Sequence, residues 1–316
     1  MLKKPAIIYF LLLCLVFLSS CNQPSKPIEA TPTRAQVLPT STTMPVISPT
    51  PTSTLDNTPL HFKTRIILSG RWRPDDLAFD AQGHLVFSDF YNGTVSRVNA
   101  NGSITVLVSG MAGPEGLAYL SDGTMIIAEQ RTNRILKLAP GASSLTVLRV
   151  LPGTPSSLPC KDGVDGIAFD PTTNTLIVPD SPTGDVYRMS LDGEKLTLLA
   201  SGIVRPVGAA VDAQGNVYIA DECGGAVWRI TPDGKTTRIG GFGMPDDIAF
   251  DLQGNMLVID LKISIHALIR VRQATGIHET LLNKGLIEPQ GLVVDKSDNI
   301  YVSDDYADSI VELTPA

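Results

Sequence analysis

Basic runs, histidine, cysteine and aromatic side chains are all scarce in this chain, and each scarcity closes off a class of function. No cluster of Lys or Arg follows residue 4, and the 316 residues carry a formal charge of −7. The phosphate contacts that hold a nucleic-acid backbone therefore have no source. There are 4 His, and His278-Glu279 lacks the second histidine one helical turn on that a zinc-protease helix requires. Gly-x-Ser-x-Gly, the phosphate-binding loop and Cys-x-x-Cys are absent as well. Phe, Trp and Tyr make up 6% of a chain that is 43% hydrophobic, so the core must come from Val, Ile, Leu and Ala. That composition suits many short strands and is too apolar for a chain disordered throughout.

What is present begins with an apolar run. Lys3 and Lys4 precede Ala6 to Leu18, too short to span a bilayer comfortably, and Leu18-Ser19-Ser20-Cys21 follows. Residues 1–20 resemble a bacterial lipoprotein signal peptide, and the resemblance implies cleavage before Cys21, lipidation of Cys21 and an extracytoplasmic position on a bacterial cell membrane. Residues 21–60 are rich in Pro, Thr and Ser with no apolar period, which predicts a semi-stiff spacer. Without residues 1–60 the charge is −9, so cations are the natural partners of the remainder. Cys14 falls in the discarded segment, leaving Cys160 and Cys223, and a non-cytoplasmic compartment predicts a disulfide between them.

A repeat organises residues 61–316. Six segments align, among them RPDDLAFDAQGHLVFSD from Arg73, GPEGLAYLSDGTMIIAE from Gly113, RPVGAAVDAQGNVYIAD from Arg205 and MPDDIAFDLQGNMLVID from Met244. Their opening residues, Pro74, Pro114, Val164, Pro206, Pro245 and Pro289, advance by 40, 50, 42, 39 and 44 positions. Each copy reads as four antiparallel strands joined by Gly-containing turns, the blade of a β-propeller. An all-β, six-bladed propeller follows. The last copy stops after its third strand, and the unpaired FKTRIILS at residues 62–69 is expected to supply its outer strand and close the ring.

Features common to all copies read as blade geometry. Gly116, Gly166, Gly208 and Gly291 let the inner strands crowd the axis. The acids ending the second strand, Asp89, Glu129, Asp180, Asp221, Asp260 and Asp304, suit turn or blade-to-blade hydrogen bonding. The position after the opening residue departs from uniformity, holding Asp75, Glu115, Asp165, Val207, Asp246 and Gln290. These side chains should ring one mouth of the central channel, where like charges repel unless a cation sits among them. Asp75, Glu115, Asp165 and Asp246 are therefore the expected ligands of a divalent cation, Ca²⁺ first, with Mg²⁺, Mn²⁺ or Zn²⁺ as alternatives. Asp76 and Asp247 replace the axial glycine in blades one and five and are candidates for a separate role. Loops on the same face carry Arg71, Trp72, Arg73, Phe90, Tyr91, Arg131, Arg205, Phe242, Lys262, His266 and Tyr306, and of these Trp72, Arg73, Tyr91, Arg131, Arg205 and Tyr306 are, with Asp76 and Gln290, the expected binders of a small polar ligand.

The repeats, with cores such as PEGLAYLSDGTMIIAE and PVGAAVDAQGNVYIAD, resemble the senescence marker protein, gluconolactonase and luciferin-regenerating enzyme superfamily, and also NHL repeats and streptogramin lyases. The gluconolactonase resemblance implies a cation at the channel mouth, with Asp75 in the place of the family's first ligand, Asp165 at a middle ligand and Asp246 at the last. Val207 stands where those relatives carry Asn. None of the openings is Pro-His-Gly, the histidine pattern of the streptogramin lyases. The resemblance implies a metal-dependent lactone or ester hydrolase with Asp246 or Asp247 as general base. A non-catalytic NHL-type propeller that binds a sugar or an envelope protein is the alternative, and a structural Ca²⁺ in the acidic ring a third reading. A monomer is expected.

Overall fold

The computed structural model describes residues 62–262 and 264–316. The signal peptide, the lipidation site Cys21 and the spacer lie outside the described residues.

Six sheets of four antiparallel strands form the six-bladed β-propeller read from the repeat. Blade four runs from the axis outward as Pro206–Val211, Val217–Asp221, Ala226–Ile230 and Thr236–Ile239. Its first turn shows why the DxxGN pattern recurs. Asp212 Oδ1 accepts the Gln214 and Asn216 backbone N–H groups at 2.9 Å each, and the Asn216 side chain donates to Asp212 Oδ2 at 2.7 Å. Gly215 supplies the positive φ of 78° that the turn needs.

Second strands such as Leu85–Asp89, Met125–Glu129 and Met256–Asp260 are buried along their whole length. Sandwiched between neighbouring blades, they carry apolar side chains on both faces instead of alternating. The core is correspondingly divided among the blade interfaces. One cluster joins Ile126 and Ile135 of blade two to Leu176 and Met189 of blade three, and another joins Tyr218 and Val227 of blade four to Met256 and Val258 of blade five. At the last interface Leu68 and Ile310 pack with Leu77 and Phe87 of blade one.

Closure occurs as the repeat count requires. Phe62–Ser69 pairs antiparallel with Ser309–Pro315, from Phe62 opposite Pro315 to Ser69 opposite Ser309. Arg65 reinforces the seam, its Nη2 standing 2.7 Å from Glu312 Oε2. At the axis, a Cβ on Gly116 or Gly291 would come within 2.5 Å of the Asp165 or Asp75 carbonyl oxygen of the adjoining blade. Cys160 and Cys223 form the expected disulfide and tie a loop of blade three to one of blade four.

Candidate functional site

The inner strands bring the varied position after each opening residue to one end of the channel. Asp75, Glu115 and Asp246 are each about 8% exposed. Together with the half-buried Asp165 and Gln290 they line a cavity of about 160 Å³. Val207 is fully buried and belongs to the core cluster between blades four and five, not to this lining. The four expected carboxylates thus come together in one register. Burial, followed by the charge of nearby Asp165, pushes the Asp75, Glu115 and Asp246 carboxyls well above the usual carboxylate range.

Asp76 and Asp247, each next in sequence to a ring carboxylate, line a separate small pocket with Asp75, Asp165 and Asp246, and their oxygens serve the backbone. Asp76 Oδ1 accepts its neighbour Leu77 N–H at 2.7 Å and Oδ2 accepts Leu117 N–H of blade two at 2.6 Å. Asp247 repeats the arrangement with Ile248 and with Leu292 of blade six, both at 2.7 Å. Each carboxylate clips its blade to the next. Burial raises the Asp76 carboxyl to about 7 and lifts Asp247 well above its ordinary value, against the opposing pull of these N–H donors.

The acids that end the second strands act as clamps on the loops entering the inner strands. Asp221 accepts the Arg205 and Gly224 backbone N–H groups and the Trp228 indole, each at 3.0 Å. Asp304 likewise takes the N–H groups of Ile287 at 2.6 Å and Glu288 at 3.1 Å. These clamps set the loops of the rim at a fixed height above the channel.

A second ring of cavity residues comes from the position just after the clamp in every blade but the third. Phe90, Gln130, Glu222, Leu261 and Asp305 all line the cavity, and Glu288 and Arg205 join them from the loops before the opening prolines. Of these, Gln130, Glu222, Leu261, Glu288 and Asp305 are not among the residues that the sequence marks out. The repeat register carries the signal, since each directly follows a clamp or precedes a proline. Arg205 is the hub of this wall. It forms an ion pair with Glu222 and stands 3.2 Å from Asp162 and 3.4 Å from Asp165. Gln130 donates to the same Asp165 at 3.4 Å.

The expected ligand-binding residues divide in two. Tyr91, Arg205 and Gln290 line the cavity, whereas Asp76, Trp72, Arg73, Arg131 and Tyr306 do not. Trp72 packs its ring edge-on to Phe87, with centroids 6.0 Å apart, as part of the core. The Arg73 guanidinium carbon lies 3.5 Å from the Tyr91 ring centroid and 4.6 Å from that of Tyr306, and Arg131 stands over Phe90 at 4.4 Å. These cations stiffen the aromatic rim from behind.

The family model described as SMP-30/gluconolactonase/LRE-like region matches residues 159–250. That stretch carries Asp165, Arg205, Glu222, Asp246 and Asp247. No curated protein sequence matches the chain. Among solved structures, a gluconolactonase from Xanthomonas campestris is similar with a TM-score of 0.67 and 16% identity, covering 81% of this chain and 90% of its own. A virginiamycin B lyase from Staphylococcus aureus, solved with quinupristin, gives a TM-score of 0.62 at 18% identity over 81% of this chain and 100% of its own. The nidogen/laminin complex gives 0.62 at 20% identity over 72% and 88%. A lyase, a gluconolactonase and a nidogen/laminin complex share the architecture, so these likenesses carry the fold and leave function to the site.

Proposed function

We propose that the protein is a gluconolactonase-like propeller that binds a divalent cation at the channel mouth through Asp75, Glu115, Asp165 and Asp246, and that this site opens lactones or simple esters. The observation that carries the reading is the convergence of four carboxylates from four blades on one cavity, with Arg205 as the one cation among its described lining residues. The donor set suits a hard cation in its chemistry: oxygen only, desolvated, and mutually repelling until a positive charge arrives. Among the described residues, no three His, Cys, Asp or Glu side chains already stand as a formed ligand set. Binding on this reading draws the ring carboxylates inward.

A bound Ca²⁺, or Mg²⁺, Mn²⁺ or Zn²⁺ in its place, would polarise the substrate carbonyl and acidify a water molecule. Asp246 is the residue that would take a proton from a water molecule there, because its carboxylate lines the cavity beside Asp165 and Arg205. Asp247 is less suited, both its oxygens being committed to backbone N–H groups. Arg205, braced by Glu222 and Asp162, would orient a substrate oxygen. The Cys21 lipid would hold the site outside the cytoplasm, and incorporation of a palmitate analogue that is lost in Cys21→Ser tests that part.

Calorimetric titration of the EDTA-treated protein with Ca²⁺, Mg²⁺, Mn²⁺ and Zn²⁺ should give binding that disappears in Asp75→Ala and in Asp246→Ala. In a lactone and ester panel, Asp246→Asn should abolish turnover while leaving the melting transition cooperative. Wild-type protein that binds no cation and turns over no member of the panel would overturn the reading in favour of a recognition propeller.

A further inference from the structure

Blade four is the one blade whose position after the opening residue offers the ring no oxygen, because Val207 stands there and is fully buried in the core. In its place the blade sends a positive charge. Arg205, just before Pro206, is the one cation among the described residues that line the cavity. Its side chain is 14% exposed, and the two arms of its guanidinium have different partners. Nη1 forms the ion pair with Glu222, a buried carboxylate that anchors the group. Nη2 reaches the ring, standing 3.2 Å from Asp162 Oδ2 and 3.4 Å from Asp165 Oδ2. Asp165 Oδ2 also accepts the Gln130 side-chain amide at 3.4 Å. Both contacts to Asp165 are long for hydrogen bonds, so they hold this carboxylate without committing it.

We infer that Arg205 is the resident counter-ion of the carboxylate ring, and that a divalent cation gains Asp165 only by displacing the guanidinium from it. Buried carboxylates that face one another need a positive charge nearby, and a tethered guanidinium supplies one whatever the solution contains. The same charge opposes the arrival of a second cation, so Arg205 sets how tightly the ring takes a metal ion. A guanidinium fork can keep one arm on Glu222 while the other leaves Asp165, and the freed arm is then available to a ligand oxygen in the cavity. The competition rests on the cation reading given above, whereas the counter-ion role stands on the ion pairs alone.

Two calorimetric titrations of the full chain separate these parts. In EDTA, methylguanidinium should bind Arg205→Ala, filling the place of the lost side chain, and should give no heat with the wild-type protein. Arg205→Gln should bind Ca²⁺ about tenfold tighter than wild type, the reverse of the loss expected where a cavity residue serves only the fold. Arg205→Lys keeps a charge beside Glu222 but lacks the second arm, and should bind Ca²⁺ about threefold tighter. That variant decides the matter if the other two fail to fold. Methylguanidinium that gives no heat with folded Arg205→Ala, or Ca²⁺ binding that is unchanged or weaker in Arg205→Gln and Arg205→Lys, would overturn the inference. Absence of Ca²⁺ heat from wild type and from Arg205→Gln, with methylguanidinium still bound by Arg205→Ala, would instead overturn the cation reading and with it the competition, leaving Arg205 as the standing counter-ion of the ring.

Discussion

Asp76 and Asp247 each sit where the other blades keep glycine, and their role in the structure is mechanical, because a side-chain oxygen takes the part that a backbone carbonyl plays between blades two and three. Gly116 N–H, for comparison, donates directly to the Asp165 carbonyl at 3.1 Å. Asp247→Ala would leave the Leu292 N–H without its acceptor and should lower the unfolding free energy by about 1–3 kcal/mol, measured by urea denaturation. Gly208→Ala should be at least as harmful, since its Cβ would overlap the Asp246 carbonyl oxygen. We expect a loss of about 1–3 kcal/mol together with weakened cation binding, because the displaced backbone carries Asp246. At this scale the ring of Asp75, Glu115, Asp165 and Asp246 is legible in the sequence, being one variable column in an otherwise uniform repeat. The clips are not. Their partners lie 41 and 45 residues away on the next blade, so a lone charge at a crowded position reads as a binding group until that blade is in place. Trp72 fails for a related reason, since a loop aromatic can turn toward solvent or toward the core with the same neighbours in sequence.

Among the elements, the clamps explain why rim loops of very different sequence arrive at the channel in the same pose. Asp89, Asp180 and Asp260 each accept backbone N–H groups from the loop that enters an inner strand: Arg73 at 3.2 Å, Gly153 at 2.8 Å and Gly243 at 2.7 Å, respectively. The regularity of these acids marks them as structural in the sequence, and the residue after each is then the one free to vary, which is where Gln130, Glu222 and Asp305 stand. The disulfide adds a second restraint to the same rim. Cys160 is two residues from Asp162 and Cys223 adjoins Glu222, the two carboxylates that brace Arg205 from either loop. Joining residues 63 apart, it constrains the unfolded chain by about 4 kcal/mol on loop-entropy arguments. Replacing both cysteines by serine should lower the melting temperature and weaken whatever binds beside Arg205, two effects that calorimetry reads independently.

For the molecule as a whole, the buried acids make stability depend on pH in an unusual direction. Asp76 titrates near 7 in the folded state against 3.8 when free, and Asp75, Glu115, Asp246 and Asp247 are shifted the same way by burial. The folded protein therefore holds protons that the unfolded chain has released. Their contribution is complete below about pH 4 and is lost as pH rises toward 7 and beyond. EDTA-treated protein should melt lower at pH 8 than at pH 5, by an amount equivalent to a few kcal/mol, and saturating Ca²⁺ should flatten that dependence if the cation sits in the ring. The six-fold architecture itself is legible throughout, because the repeat spacing counts the blades and the leftover strands at the two ends name their own partner. That closure has a consequence for force. Phe62 and Pro315 are opposed at the same end of a ladder of seven residue pairs, so a pull on the two ends of the propeller loads the pairs one after another instead of all together. Heating must disrupt the buried Leu68 and Ile310 packing at once, whereas tension along the chain would unzip the seam rung by rung and open the ring at low load.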